Sequence, residues 1–149
     1  MIERNQLRFN CCESVLIRID NGHKLPGFGP EVMRVASNFG GGVTWGSVCG
    51  AVSGAAMAIG LLMGTSGDES PEQYKQKREA KTKLTREFMQ AFEDRYGHVN
   101  CYALLGANTR TPEGKKLYKE MKARGEVKCE EYVEWAAEKV LELIKENGL

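Results

Sequence analysis

Asn38–Gly64, NFGGGVTWGSVCGAVSGAAMAIGLLMG, decides how the rest of the chain is read. It opens on a run of glycines, carries one cysteine, Cys49, and has no charged residue before Asp68. A helix that is apolar all round lies either at the centre of a packed protein or in lipid. Ser47, Gly50, Ala51, Gly54, Ala55 and Ala58 recur at spacings of three and four, so a neighbouring backbone can come close along that face. The continuous apolar part, Val48 to Met63, is shorter than the ~20 residues a bilayer crossing needs, and glycines weaken it further. No cluster of Lys or Arg at one end sets an orientation. We therefore read it as a central helix from Gly46 to Met63, ringed by others, and expect no membrane span.

Composition bounds the remainder. A chain of 149 residues is about one domain, 1–149, long enough to bury a core. A net charge of +1 gives no field for nucleic acid or a membrane surface. The first twenty residues carry charges and cysteines where a signal peptide needs an apolar stretch, so a cytoplasmic protein is expected. Five cysteines, Cys11, Cys12, Cys49, Cys101 and Cys129, then become informative. A reducing cytosol disfavours structural disulfides and leaves packing, thiolate chemistry or metal binding. None stands in a CxxC pair, so only the fold can bring them together.

The outer helices follow from periodicity and breakers. The first is expected from Asn5 to Asp20, where Cys12, Val15, Leu16 and Ile19 share a stripe that turns Cys12 inward and leaves Cys11 at its border. A short helix from Pro30 to Asn38 stops at Phe39-Gly40-Gly41-Gly42. That glycine loop lacks the P-loop pattern and has no strand before it. It is read as a tight turn, with anion binding, or backbone N–H groups facing the sulfurs of a cluster, as alternatives. Ser70-Pro71-Glu72 starts a long helix whose basic first half, Lys75 to Arg86, is solvated, with docking to an acidic partner as the alternative. Its second half packs through Leu84, Phe88, Ala91 and Phe92. Gly97 stops it.

His98 could be a ligand or proton donor, or an ordinary loop histidine. Asn100 can cap a short helix opening with Cys101. Thr111-Pro112-Glu113 begins a short charged helix ending near Gly125. The last helix runs from Cys129 to Asn147, with Cys129, Tyr132, Val133, Ala136, Val140, Leu143 and Ile144 facing inward. Cys49, Cys101 and Cys129 thus lie at or near helix N-termini, and Cys11 soon after one. The helix dipole and free N–H groups there favour a thiolate, the form that binds metal or attacks.

Phe9-Asn10-Cys11 with Glu13-Ser14-Val15, Phe39-Gly40-Gly41-Gly42, Cys49-Gly50-Ala51-Val52-Ser53-Gly54-Ala55, Cys101-Tyr102-Ala103-Leu104-Leu105-Gly106, and Cys129 with Ala136-Ala137-Glu138 resemble the C_GCAxxG_C_C family of redox-active proteins. The resemblance covers nearly the whole chain. It implies an all-α, single-domain helical bundle whose cysteines Cys11, Cys49, Cys101 and Cys129 form a redox or iron-sulfur site, as in the similar cluster-bearing domain of split-Soret cytochrome. It also implies a homodimer.

Cys12 departs from the family pattern and competes with Cys11 as ligand. No CxxCH is present, so covalent haem is not expected. Four thiolates suit an iron-sulfur cluster, 2Fe-2S or 4Fe-4S, that carries electrons to a redox partner protein. A thiol/disulfide redox protein, or an interaction module that binds zinc through four cysteines, are the rivals. No residue pattern names a substrate pocket or a reaction.

Overall fold

In the computed structural model, which describes residues 1–149, the chain forms two very short strands and seven α-helices. Strands β1 (Glu3–Arg4) and β2 (Leu7–Arg8) pair antiparallel around a turn in which Asn5 and Gln6 both have positive φ. Helix α1 is Cys11–Gly22, α2 Pro30–Ala36, α3 Gly50–Met63, α4 Pro71–Tyr96, α5 Cys101–Leu105, α6 Pro112–Ala123 and α7 Cys129–Glu146. The all-α, single-domain bundle expected from the sequence is what forms. No helix is long and apolar enough to cross a membrane.

Two helix starts differ from expectation, and both differences move a cysteine. The first helix begins at Cys11, not Asn5. The left-handed pair Asn5-Gln6 bends the chain into a hairpin, and Asn10 closes a capping box: its side chain accepts from the Glu13 N–H at 3.0 Å and its own N–H donates to Glu13 Oε2 at 2.7 Å. Cys11 is therefore the first helical residue. The central helix begins at Gly50, not Gly46, with Cys49 at its N-cap. Before it, Gly42–Gly46 makes one wide turn in which Val43 and Thr44 are left-handed, a conformation that strains a β-branched residue. The glycine stretch is thus a turn, as read. Smaller differences are fraying: α2 ends at Ala36, and α7 at Glu146.

α3 sits where the sequence placed it, packed on α1, α7 and α4. Its small residues are spent on α1. A Cβ on Gly54 would lie 2.7 Å from the Cys12 carbonyl oxygen, and one on Gly50 would lie 2.9 Å from Cys11 Cβ. Around this contact Val15, Leu16, Ile19, Val52, Ile59, Val133, Val140 and Leu143 are fully buried. Phe88 and Phe92 of α4 close the core against Trp135 and Tyr132 of α7, with ring centroids 5.6 to 6.1 Å apart. The first half of α4 projects from the body, exposed from Pro71 to Ala80. Ser70 caps it with a capping box to Gln73, and Gly97 ends it in the left-handed conformation.

The α1–α3 contact makes a measurable distinction between two glycines of one helix. Gly54→Ala should destabilise the protein by about 1–3 kcal/mol in urea denaturation, because the methyl has no room. Gly60, with nothing within 4 Å of a built Cβ, gives the opposite sign: Gly60→Ala should stabilise by about 0.5–1 kcal/mol through helix propensity.

Candidate functional site

The site grows from four helix starts. Cys11 is the first residue of α1, Cys49 the N-cap of α3, Cys101 the first residue of α5 and Cys129 the first residue of α7. Cys49 and Cys101 are tied together by backbone: the Cys49 N–H donates to the Val99 carbonyl at 2.8 Å, and the Cys101 N–H donates to the Ser47 carbonyl at 2.7 Å. Cys11 is brought to Cys49 by the Gly50 contact. Cys11, Cys101 and Cys129 then line one cavity of about 570 Å³, shared with Gly41 of the glycine turn and with residues of α6. Cys49 lies buried, 5 % exposed, at the root of α3.

The electrostatics show that these sulfurs sense one another. The Cys11 thiol is held strongly protonated, first by its hydrogen bond with Cys129, then by burial and by the charges that Cys129, Cys49 and Cys101 would carry. Cys129 moves the opposite way: the Cys11 thiol hydrogen-bonded to it, helped by its own N–H, holds it below the ordinary value. Burial pushes Cys101 up to about 12, reinforced by Cys49 and Cys129. Burial also raises Cys49, against the backbone N–H groups of Ala51 and Val52 that stabilise its thiolate. Cys129 is lowered first by the Cys11 thiol and only secondarily by a backbone N–H at its helix start, so the expected effect of the N-terminus is a minor one there. At Cys49 and Cys101 burial outweighs it, and at Cys11 the hydrogen bond with Cys129 and burial do.

Cys12 stands apart. It is 0 % exposed in the core, as the packing stripe implied, with its thiol donating to Met57 Sδ at 3.6 Å. Burial pushes it up to about 12. His98 is exposed and does not line the cavity. No group of three or more His, Cys, Asp and Glu side chains is closed around a single point as a ready metal site. The donor type fits a thiophilic centre in kind, since the sulfurs of Cys11, Cys101 and Cys129 line the cavity and no carboxylate does.

A model of the family described as "Putative redox-active protein (C_GCAxxG_C_C)" matches residues 9–143. The chain belongs to that family. It is therefore a member of a family of redox-active proteins, and the matched span contains all of Cys11, Cys49, Cys101 and Cys129. No curated protein and no solved structure matches the chain.

Sequence reasoning missed the opposite wall of the cavity. Lys115, Tyr118, Lys119 and Lys122 of α6 line it, and their spacing of i, i+3, i+4 and i+7 was visible as one helical stripe. Tyr118 is raised by burial and by the three thiols it faces, and lowered by Arg8. Also unforeseen is a surface beside the site, where Arg110 stacks 4.1 Å over the exposed Trp45 ring at the strained turn, next to exposed Tyr102.

The thiol shifts set a pH dependence for reduced, metal-free protein. Cys12 and Cys101 are raised from the ordinary 9.0 to about 12, so the folded chain binds more protons than the unfolded one between those values. The stability tied to them is complete below pH 9 and falls as pH rises through that window. Cys129 has the opposite sign, its contribution being lost as pH falls through its lowered value. Urea midpoints should decline above about pH 9, and Cys101→Ser should flatten the decline. With limiting iodoacetamide at neutral pH, peptide mapping should find Cys129 labelled first and Cys12 last.

Proposed function

We propose that this chain is a redox protein in which Cys11, Cys49, Cys101 and Cys129 hold an iron-sulfur cluster that carries electrons to a partner protein. The observation that supports the reading is that Cys11, Cys101 and Cys129, each the first residue of a helix, line one cavity, with Cys49 of the same family pattern tied by backbone hydrogen bonds to the segment that carries Cys101. When bound, a cluster supplies one-electron transfer at a potential set by burial and by hydrogen bonds to its sulfurs.

The chain's own groups would do the rest. Backbone N–H groups at the two helix starts, those of Ala51 and Val52 for Cys49 and its own for Cys129, favour the thiolate form of each. Such contacts hold a thiolate in place and raise the ease of reduction. Lys122 adds positive charge near Cys129. Cys12 is withdrawn into the core beside Met57 and takes no part.

The reading includes a cytoplasmic location, where free thiols persist, and a homodimer. The surface that supports pairing with a second copy is not the small-residue face of α3, which α1 covers, but the apolar strip of Val32, Val35, Met57 and Leu61 between α2 and α3. Val35 is 60 % exposed on it. Sedimentation of Val35→Glu against the parent chain tests the pairing.

The Cys11–Cys129 pair favours a second reading, a thiol/disulfide protein. The two thiols line one cavity and Cys11 lowers Cys129 while being raised itself, a pairing in which a disulfide can form by passing two electrons and two protons to a disulfide acceptor.

Iron and acid-labile sulfide per chain, measured on protein made without oxygen, separate the readings. Serine at Cys11, Cys49, Cys101 or Cys129 should each remove most of the iron, and Cys12→Ser should keep nearly all of it. Full iron retention in Cys49→Ser or Cys129→Ser would end the four-cysteine centre. Colourless protein yielding a Cys11–Cys129 linked peptide on mild oxidation would replace it with the second reading.

A further inference from the structure

The wall of the cavity that faces the cysteines is a single stripe of α6. Three solvent-exposed lysines, Lys115, Lys119 and Lys122, line it together with the half-buried Tyr118 and with Thr109. No carboxylate lines this cavity, and none of the three lysines forms an ion pair elsewhere, although ion pairs are formed by Lys24, Lys77 and Lys139. The glutamates of α6, Glu113 and Glu120, are not among the lining residues. Like charges at this helical spacing repel weakly, so a bound anion would relieve a small cost as well as gain three cationic partners.

The helix is also set for its place. The Gly114 N–H donates to Thr111 Oγ1 at 3.0 Å, and that hydroxyl donates to the Asn108 carbonyl at 3.0 Å. A Cβ at Gly114 would collide with the same carbonyl at 1.8 Å, so the start of α6 is fixed against the loop. Beyond it α6 packs closely on no other helix, and its only buried residue is Gly114. Most amphipathic helices bury an apolar face; this one turns a cationic face to a thiol-lined cavity of about 570 Å³.

We propose that the cavity binds a small oxyanion over the cysteine centre, with Lys115, Lys119 and Lys122 as its counter-charges and the Tyr118 hydroxyl as a hydrogen-bond donor. This rests on the proposed redox reading only in naming what the centre would meet: an anionic small molecule admitted beside the sulfurs, as opposed to a bare electron relay. Tetrahedral or planar oxyanions accept several hydrogen bonds at once and match a row of ammonium donors. The basic face of α4, Lys75, Arg78, Lys83 and Arg86, is an exposed surface interleaved with Glu79, with no phenol and no cysteine lining it. It serves as the internal control.

Sulfate is the probe, titrated into reduced, metal-free full chain at constant ionic strength while backbone amide NMR shifts are followed. Saturable shifts are expected along Lys115 to Lys122 and at Thr109 and Gly41. The double substitution K119Q/K122Q should weaken sulfate by about tenfold or more, which is about 1.4 kcal/mol. Tyr118→Phe, which keeps the ring, should weaken it by a smaller factor. K75Q/R78Q should leave it unchanged. Shifts confined to residues 75–86, or an α6 affinity indifferent to both K119Q/K122Q and Tyr118→Phe, would overturn the proposal.

Iron counted on the same preparations keeps the two readings apart. K119Q/K122Q that loses sulfate but retains iron supports the anion site with the cluster reading intact. Parent chain that binds sulfate at α6 but never holds iron supports the anion site and ends the cluster reading. Parent chain that holds iron but shows no α6 shifts ends the anion site alone.

Discussion

The close approach of α3 to α1 is the contact on which the rest depends. Gly50 and Gly54 let the two backbones meet with no side chain between them. That approach puts Cys49 beside Cys11, because Gly50 follows the one and abuts the Cβ of the other. It also buries Cys12 and Val15 against α3. Packing density in a protein interior leaves no slack for an added methyl there. Core geometry and site geometry are thus one feature.

The site is an electrostatic compromise. Four helix starts offer N–H groups and positive dipole ends, which stabilise thiolates, yet the sulfurs are removed from water and face one another. In the metal-free chain burial prevails for Cys49 and Cys101 and joins the Cys129 hydrogen bond in raising Cys11, while Cys129 is lowered because the Cys11 thiol hydrogen-bonds to it. Thiols kept neutral chiefly by burial are ones whose protons a thiophilic cation would displace. The cationic stripe of α6 meets the same charge from outside.

The turn before α3 connects the two. Val43 and Thr44 are held left-handed while Gly42 bonds back to Ser47, whose N–H donates to the Gly42 carbonyl at 3.0 Å. A Cβ on Gly42 would fall 2.4 Å from the Ser47 carbonyl oxygen, so glycine is required there. The Ser47 carbonyl is also the acceptor for the Cys101 N–H. The end of the turn therefore holds Cys49 and Cys101 together through backbone hydrogen bonds, and Trp45 is left outside, 66 % exposed, under the Arg110 guanidinium.

What the sequence determined by itself was the kind of fold and the order of its parts. The uncharged run after Cys49, the caps at Ser70 and Thr111, the stop at Gly97 and the inward stripe of α7 are local signals, and each element lies within a few residues of where they put it. The stripe through Val15, Leu16 and Ile19 sent Cys12 to the core, and it is there. The family pattern chose Cys11, and Cys11 is the neighbour that lines the cavity. Two starts were misread because a left-handed Asn5-Gln6 pair and a left-handed Val43-Thr44 pair are not written in periodicity. Only the tertiary structure decided which sulfurs share a space, which of them is shifted toward the thiolate, and that the lysines of α6 line the same cavity. Those are facts about separations between elements far apart in the chain. Charge and desolvation depend on such distances, and spacing along a sequence does not contain them.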